Sequence, residues 1–329
     1  MRAAPTGGGK ANSYEYSVAG NPGDVSVTTL QGGLVLQGGS SDFVAPFAWM
    51  RDVGGAAGGD FVVIRATGTD AYNPYIYGTD PVSVGGFDSV ATLIVKTREA
   101  ASNPFVVETI RNAEAVWIAG GDQADYVTLW KGTPLADAVN AVANVKGAPV
   151  GGTSAGLAVM GEFVFAARNG TVDSAAALAD PYNRRVDLDA RTFSANAGQA
   201  NLPFLDSIIT DSHFVGRDRM GRMLAFLARL NNADGLNADL SPPARGIGVS
   251  EQTALVVNRY GIGTVLSGAD PGNPEPTAPY VYVLTTAGRA EVSRPKTPLT
   301  YRNVAVHRMA PGDTFNLATW SVPNTGTGR

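Results

Sequence analysis

Cysteine is absent from this chain of 329 residues, and histidine occurs only twice, as His213 and His307. The absence of cysteine excludes disulfides, thiolate metal sites and a cysteine nucleophile. Two histidines cannot build a three-histidine metal site, and any serine–histidine mechanism must use one of them. Charged residues make up only 16% of the chain and the formal net charge is −4, so the composition gives no indication of a general nucleic-acid surface.

Long apolar runs are also missing, since none reaches the roughly 18–20 residues that span a bilayer. The N-terminal stretch MRAAPTGGGKANSYEYS has no hydrophobic signal core, so we expect either a cytosolic chain or one whose signal has been removed. Hydrophobic residues make up 44% of the chain, which is enough for a large core. We predict an extended N-terminal lead-in over residues 1–30, followed by a single catalytic α/β domain over residues 31–329 with a C-terminal β-rich extension.

Five short apolar segments without polar alternation predict strands that are covered on both faces. These segments are 32–39, 60–68, 90–96, 114–123 and 148–156. Helical patterns at 41–55, 103–113 and 133–147 lie between them. The alternation predicts an α/β fold, a three-layer α/β/α sandwich with a mostly parallel central sheet.

The second half of the chain has a different pattern. Residues 205–214 predict a strand that runs into a loop, and residues 221–232 predict an amphipathic helix. From Arg245 onward the segments predict mainly antiparallel strands, either added to the edge of the sheet or packed beside it.

One pentapeptide, Gly152-Thr153-Ser154-Ala155-Gly156, fits the G-x-S-x-G pattern of a nucleophile elbow, a sharp strand-to-helix turn that exposes a reactive hydroxyl. Small residues also cluster where a helix packs closely on a strand, so the pentapeptide alone leaves both interpretations open. If the strands that precede Ser154, His213 and Gln123 are all parallel and central, these side chains converge at one edge of the sheet.

A serine hydroxyl needs a base within hydrogen-bond reach, and His213 is the better candidate because it follows a strand end. His307 alternates with valines, which favours a structural or surface residue. The backbone N–H groups of Ala155 and Gly121 are the predicted oxyanion donors.

A third group should orient the histidine, and three acids are candidates. Glu251 is favoured over Asp173, and Asp211 lies two residues before the histidine on the predicted strand.

Three arginines, Arg217, Arg219 and Arg222, fall within one short span after the histidine. The guanidinium fork binds carboxylates bidentately, so the cluster suits an anionic ligand. The alternative is a solvated basic start of a helix, and the anionic partner could also be intramolecular, such as Asp211 or Asp218.

Four segments, "GGDQ", "GGTSAGLAVM", "DSHFVGRDRMGRML" and "GIGVSEQTALVV", together resemble the cyanophycinase family of serine exopeptidases, which is related to dipeptidase E (peptidase family S51). The resemblance extends over roughly residues 32–260. It implies a sandwich similar to class I glutamine amidotransferases, with serine in place of the cysteine nucleophile. It also implies hydrolysis of cyanophycin, a poly-aspartate with arginine on each β-carboxyl group, to β-Asp-Arg dipeptides.

The resemblance carries roles to individual positions. Ser154 matches the nucleophile and His213 the base, while substrate recognition falls to Asp122, Gln123 and the three arginines. The resemblance further implies a homodimer and favours a secreted or periplasmic protein, with a cytoplasmic one as the alternative. No metal, nucleotide or other cofactor, no nucleic acid and no membrane is needed for this activity.

The chain departs from the family pattern at Ser212, where cyanophycinases typically have glutamine before the histidine. We therefore keep a related dipeptidase for short isoaspartyl or aspartyl peptides as an alternative. An α/β-hydrolase esterase and a non-catalytic binder of acidic peptides are further alternatives. The esterase lacks support because no HGGG-type oxyanion segment precedes Ser154.

Overall fold

A computed structural model of the chain describes residues 14–80, 83–194, 196, 198–268 and 278–322. The strands of these residues are, in chain order, β1 (Tyr14–Gly20), β2 (Leu34–Gln37), β3 (Asp60–Arg65), β4 (Ser89–Val95), β5 (Ala115–Ile118), β6 (Val150–Thr153), β7 (Phe163–Phe165), β8 (Leu188–Ala190), β9 (Ile208–Asp211), β10 (Arg245–Val249), β11 (Thr253–Val257), β12 (Ile262–Ser267), β13 (Val281–Thr286), β14 (Val304–Met309) and β15 (Thr314–Asn316).

The α-helices lie mostly between the strands of the first half of the chain. They are α1 (Val44–Asp52), α2 (Tyr72–Tyr77), α3 (Pro104–Asn112), α4 (Gln123–Trp130), α5 (Pro134–Ala141), α6 (Ala155–Ala158), α7 (Ser174–Ala179) and α8 (Met220–Leu230). A 3₁₀ turn, Ala100–Ser102, precedes α3, and a π-helical turn, Val142–Lys146, follows α5. Each helix in the described residues falls short of the length and apolar character that a membrane span requires.

The larger sheet has nine strands in the order β1-β4-β3-β5-β6-β2-β11-β12-β15. Its central strands β4, β3, β5, β6 and β2 are parallel, and they correspond to the five predicted strands. Antiparallel strands complete both edges, with β1 on one side and β11, β12 and β15 on the other. The predicted fold class, a mostly parallel α/β sandwich with antiparallel strands added from the C-terminal part, is confirmed.

A second sheet has six strands in the order β14-β13-β10-β9-β7-β8, and the sequence did not predict it as a separate sheet. Strand β9, which leads to His213, lies in this second sheet, so the condition that its strand be central in the main sheet is not met. The reason is that β9 pairs in parallel with β7 and β10, and the local apolar pattern carries no information about which strands pair. The antiparallel strands were predicted either at the edge of the main sheet or packed beside it, and both placements occur. Strands β11 and β12 join the large sheet, whereas β13 and β14 join the small one.

Several elements lie in segments for which we predict neither a helix nor a strand from the sequence. Helices α2, α4 and α7 and strands β7, β8 and β15 belong to this group. Within the predicted lead-in, residues 14–20 form β1, which pairs antiparallel with β4. Residues 1–13 lie outside the described residues.

Both faces of the large sheet are covered, which explains the unalternating apolar strands. In β3, Phe61 and Val63 face a core that includes Phe47 of α1, while Val62 and Ile64 face a second core shared with α3, α5 and the smaller sheet. The sandwich therefore has α1 and α2 on one side of the large sheet. Helices α3 and α5 and the second sheet lie on the other side.

The amphipathic helix α8 covers the smaller sheet. Its apolar residues Met223, Phe226, Leu227 and Leu230 are buried, at the i, i+3, i+4, i+7 spacing of one helix face. They share a core with the strands β7 and β9, so α8 fixes the position of the sheet that leads to His213.

Two glycines allow α6 to lie directly against the strand ends. A Cβ on Gly152 would lie 2.7 Å from the carbonyl carbon of Gly156, and a Cβ on Gly156 would lie 2.0 Å from the carbonyl oxygen of Ile118. Backbone therefore packs on backbone at the β6–α6 turn, and larger residues do not fit there.

We predict that Gly156→Ala destabilises the fold by about 1–3 kcal/mol, the usual cost of overpacking a close contact. The new methyl group would meet the Ile118 carbonyl oxygen, which cannot move without disturbing β5. The measurement is denaturant unfolding. Gly23→Ala is the control because its Cβ would meet only the flexible Asn21 side chain, at 3.2 Å. Equal stability of the two variants would contradict the packing argument.

Candidate active site

Ser154 lies in the turn between β6 and α6 with an unusual backbone, φ 53° and ψ −116°. Non-glycine residues in such regions cost about 1–3 kcal/mol and persist only where the surroundings hold them. Here the Ser154 N–H donates to the Gln37 carbonyl at 3.1 Å, and the Ser154 carbonyl accepts from the Ala158 N–H at 3.0 Å. The pentapeptide thus adopts the geometry of a nucleophile elbow.

His213 lies between Ser154 and an acid. Its Nε2 is 2.8 Å from Ser154 Oγ, and its Nδ1 is 2.6 Å from Glu251 Oε1. A proton on Nδ1 that is donated to Glu251 leaves Nε2 free to accept the serine proton. The arrangement can therefore draw a proton from the hydroxyl while the carboxylate stabilises the imidazolium that forms.

The environment keeps the imidazole neutral. Burial lowers the pKa of His213 below its ordinary value of 6.5, and the positive charges of Arg217 and Arg219 lower the pKa further. Glu251 acts in the opposite direction, through its hydrogen bond and its charge, but does not reverse the shift. A neutral histidine near pH 7 is the form that can act as a base.

Of the three acids considered from the sequence, Glu251 is the one that the structure brings to the histidine. Asp173 instead caps α7, where its Oδ1 accepts the Ala176 N–H at 2.7 Å. An aspartate directly before a helix is held there by these unpaired amides, so Asp173 does not serve as the third group in this geometry. Asp211 also has other partners, which are two arginines.

The turn after β2 was missed by the sequence analysis, although it contacts both key side chains. Gly39 has φ +96°, and a Cβ on it would lie 2.6 Å from His213 Nε2 and 3.0 Å from the Ser154 Cβ. The signal that could have found it is a strand ending in two glycines, the same signal as at Gly121 and Gly152.

The two predicted oxyanion donors follow the ends of two neighbouring strands, Ala155 after β6 and Gly121 after β5. Ala155 is buried and begins α6, directly after Ser154. Gly121 lies beside the Tyr126 hydroxyl, whereas a Cβ on the preceding Gly120 would be 3.4 Å from the Ser154 Cβ. Both strand-end glycines allow close approach of a ligand, and the donor role of Gly121 and Ala155 stays a prediction.

A pocket of about 430 Å³ contains all the residues predicted to bind substrate. We call it the arginine pocket, and its lining includes Asp122, Gln123, Asp173, Arg217, Arg219 and Arg222. Asp122 caps α4, with its Oδ1 accepting the Ala124 N–H at 2.9 Å, and Gln123 is the first residue of that helix.

Within this pocket, Arg222 is already paired. It is 2% exposed, and its Nε and Nη2 donate to the two carboxylate oxygens of Asp211 at 2.8 and 2.6 Å. Its guanidinium also lies 4.9 Å from the ring centre of Phe165 and 5.7 Å from that of Phe226. The intramolecular alternative raised from the sequence therefore applies to Arg222, and its contact with substrate stays a prediction.

The other two arginines differ in their exposure and in their hydrogen-bond partners. Arg219 donates to the Ser212 carbonyl at 2.9 Å and to Asp211 at 3.2 Å, and burial lowers its pKa to about 10. Arg217 is exposed, and its guanidinium has no partner within the described part of the chain. Arg217 is thus the arginine most available to an anionic ligand.

His307 lies on β14, pairs with Val283 of β13 and is remote from Ser154 in the sheet order, which agrees with the structural or surface interpretation. Over the described ranges, no group of three or more histidine, aspartate or glutamate side chains could hold a metal ion.

Comparisons with known proteins give one consistent result. Residues 86–182, which include Ser154, match the model of peptidase family S51. The chain is 26% identical to a cyanophycinase of Nostoc sp. over 287 residues, covering 86% of this chain and 85% of that one. It is 25% identical to a cyanophycinase of Geminocystis herdmanii over 293 residues, covering 88% and 95%.

A solved structure supports the fold. The crystal structure of a peptidase from an acI-B1 Actinobacterium matches with a TM-score of 0.53 at 16% identity, covering 88% of this chain and 98% of that one. Together, these matches confirm the family resemblance predicted from the four sequence segments.

We predict that Arg222→Met destabilises the fold by about 3 kcal/mol, the lower end of the usual cost of breaking a buried ion pair, because the Asp211 carboxylate keeps only one cationic partner, the 3.2 Å contact with Arg219. Adding Asp211→Asn should recover part of this loss, since the weakly paired charge disappears. Denaturant unfolding measures both, with the exposed Arg185→Met as control. Unchanged stability of Arg222→Met together with a raised KM would instead make Arg222 a substrate ligand.

Proposed function

Because this chain belongs to peptidase family S51 and is a serine hydrolase, we propose that it is an exopeptidase that hydrolyses cyanophycin to β-Asp-Arg dipeptides. The observation that carries the mechanism is the placement of His213 between Ser154 Oγ, at 2.8 Å, and Glu251 Oε1, at 2.6 Å. The substrate class comes from the cyanophycinases to which the chain is similar.

In the proposed reaction, Ser154 Oγ attacks the carbonyl carbon of the scissile bond while His213 Nε2 takes the hydroxyl proton. The backbone amides of Ala155 and Gly121 would stabilise the negative oxygen of the tetrahedral intermediate. When the intermediate collapses, the C–N bond breaks and His213 returns the proton to the leaving amine. Water, deprotonated by the same histidine, then hydrolyses the acyl ester and restores Ser154.

The arginine pocket supplies a reason for an exopeptidase. An enzyme that acts at the carboxyl end of a peptide chain must hold a free carboxylate, and a guanidinium binds this group well. Arg217 is exposed and unpaired in the described residues, so it is the first choice for this contact. Asp211 accepts hydrogen bonds from Arg219 and Arg222 and so holds both guanidinium groups at the lining of the pocket.

One observation favours a second substrate class. Ser212, which precedes the histidine, is 2% exposed and its hydroxyl lies 3.3 Å from Arg219 Nη1. The glutamine typical of cyanophycinases at this position would extend further than serine. A short isoaspartyl or aspartyl peptide is therefore the alternative substrate. The esterase and the non-catalytic binder are set aside because the chain is a peptidase.

Two further expectations from the resemblance stay proposals. One is a homodimer in solution, and the other is a secreted or periplasmic location.

We predict that Ser154→Ala lowers the rate of dipeptide release from cyanophycin by roughly 1,000-fold or more, because the acyl ester can no longer form. Mass spectrometry of the released dipeptide gives the rate, with isoaspartyl dipeptides assayed in parallel. Ser102→Ala is the control, since this serine lies on an exposed turn and its hydroxyl donates only to the Arg98 carbonyl. A Ser154→Ala protein with full activity would exclude the mechanism, and a folded wild type inactive on both substrates would exclude the function.

The lowered pKa of His213 leads to a prediction about pH. The base must be neutral, so kcat/KM should rise with pH along a limb centred below 6.5. Because the charge of Arg217 lowers this pKa, Arg217→Ala should move the limb to higher pH, whereas Arg217→Lys should leave it in place. Rates measured over pH 4–9 at low salt check this. A limb that does not move in Arg217→Ala would show that this arginine does not influence the base.

A further inference from the structure

A second pocket lies at the same edge of the large sheet, outside the site described above. It has a volume of about 360 Å³ and is lined by Asp42, Ala71, Tyr72 and Tyr75. Asp42 follows β2 by five residues, and the two tyrosines belong to α2. We call this the Asp42 pocket.

The Asp42 pocket and the arginine pocket lie on opposite faces of the large sheet. Tyr72 and Tyr75 pack against the core that holds Phe47 and Trp117. The arginine pocket instead includes Val172, which belongs to the core of the smaller sheet.

Both pockets are linked to the elbow through residues next to Ser154. The arginine pocket is lined by Gly121, and a Cβ on the preceding Gly120 would lie 3.4 Å from the Ser154 Cβ. Gln37 connects the Asp42 pocket to the elbow, because its backbone carbonyl accepts the Ser154 N–H at 3.1 Å while its Nε2 donates to Asp42 Oδ1 at 2.6 Å. Burial raises the pKa of the Asp42 carboxyl above its ordinary value of 3.8, while the hydrogen bonds from Tyr72 and Gln37 act to lower it. Gly39, three residues before Asp42, lies against both Ser154 and His213.

Hydrogen bonds from neutral side chains hold the Asp42 carboxylate in place. The Tyr72 hydroxyl donates to its Oδ2 at 2.5 Å, so with Gln37 it accepts two hydrogen bonds and each oxygen keeps capacity for another. Within the described ranges no arginine or lysine forms an ion pair with it. Arg65, the nearby cation, lies 6.0 Å from the Tyr72 ring centre and donates to the carbonyls of Thr67 and Thr69.

A carboxylate beside two tyrosine rings is suited to a positively charged group. The carboxylate can accept two N–H bonds from a guanidinium, and the aromatic faces attract the cation. The arginine pocket on the other face is lined by three arginines and two aspartates, and its exposed Arg217 suits a carboxylate. A peptide that carries both charges would therefore be ordered across Ser154 by the two pockets.

We propose that the Asp42 pocket binds the cationic side chain, guanidinium or ammonium, of a peptide whose scissile bond lies at Ser154. The proposal rests on the proposed function, and it assigns the selectivity for a cationic side chain to Asp42, with Tyr75 as the aromatic wall. Asp42 makes no bond in the reaction, so it determines which substrate binds and not how the bond breaks.

The test compares two substrates that differ only in charge, a trimer of β-Asp-Arg and the same trimer with citrulline in place of arginine. The wild type should favour the arginine trimer in kcat/KM by roughly tenfold or more, the range of a charge-assisted hydrogen bond. Asp42→Asn should lose most of this preference, even if its absolute rate also falls, and Tyr75→Leu should lose part of it. The exposed Asp52→Asn, which removes the same charge beside Arg51, should retain it.

An equal rate of the wild type on both trimers would overturn the proposal, as would an undiminished preference in Asp42→Asn. A binding measurement keeps the two proposals separate. Agmatine, a small guanidinium probe, is titrated into Ser154→Ala protein and into Ser154→Ala/Asp42→Asn protein by calorimetry. Binding that depends on Asp42 supports the pocket even if neither trimer is cleaved, a result that would remove only the proposed function. If agmatine does not bind, or binds equally well without Asp42, the proposal that the Asp42 pocket binds a cationic side chain is overturned. Cleavage of the trimers would still support the proposed function in that case.

Discussion

Three successive backbone carbonyls at the end of β2 hold the candidate catalytic segments in place. The Gln37 carbonyl accepts the N–H of Ser154, the Gly38 carbonyl that of His213 at 2.7 Å, and the Gly39 carbonyl that of Gln252 at 3.0 Å, next to Glu251. These segments come from distant parts of the chain and from both sheets. Their relative position therefore depends on one short turn, and this turn requires glycine because a Cβ on Gly39 would collide with the imidazole.

This constraint explains why strain is tolerated at the site. Ser154 and His213 both have positive φ, at 53° and 46°, where side-chain-bearing residues are disfavoured. The buried β2–β6 pairing and the packing of Gly156 against β5 fix the first turn. Strand β9 and the core under α8 fix the second. The packing of the two sheets thus holds the Ser154 hydroxyl and the His213 imidazole at hydrogen-bond distance, despite the strained backbone of both residues.

The sequence predicted the parts of this arrangement that depend on local pattern. The parallel strands follow from short apolar runs, and Ser154 from its flanking glycines. The sequence favours Glu251 as the third group without excluding Asp173, because the contact of Glu251 with His213 joins residues 38 positions apart, which no local pattern encodes. The second sheet and the commitment of Arg222 to Asp211 depend on contacts between residues far apart in the fold, which periodicity does not encode.

The same geometry gives the site an uneven charge distribution. On one face, Arg217 and Arg219 lower the pKa of His213 and offer charge to a carboxylate. On the other, Asp42 is held by Gln37 and Tyr72 without a cationic partner in the described residues. Asp42 is bonded to Gln37 of β2, which also holds Ser154, whereas Arg219 is bonded to Asp211 and Ser212 at the end of β9. Under the proposed function, a zwitterionic peptide would be oriented by groups fixed to both sheets. In this proposal, the groups that select the peptide and the groups that cleave it are held by the same strand ends, so a change at a strand end should affect both.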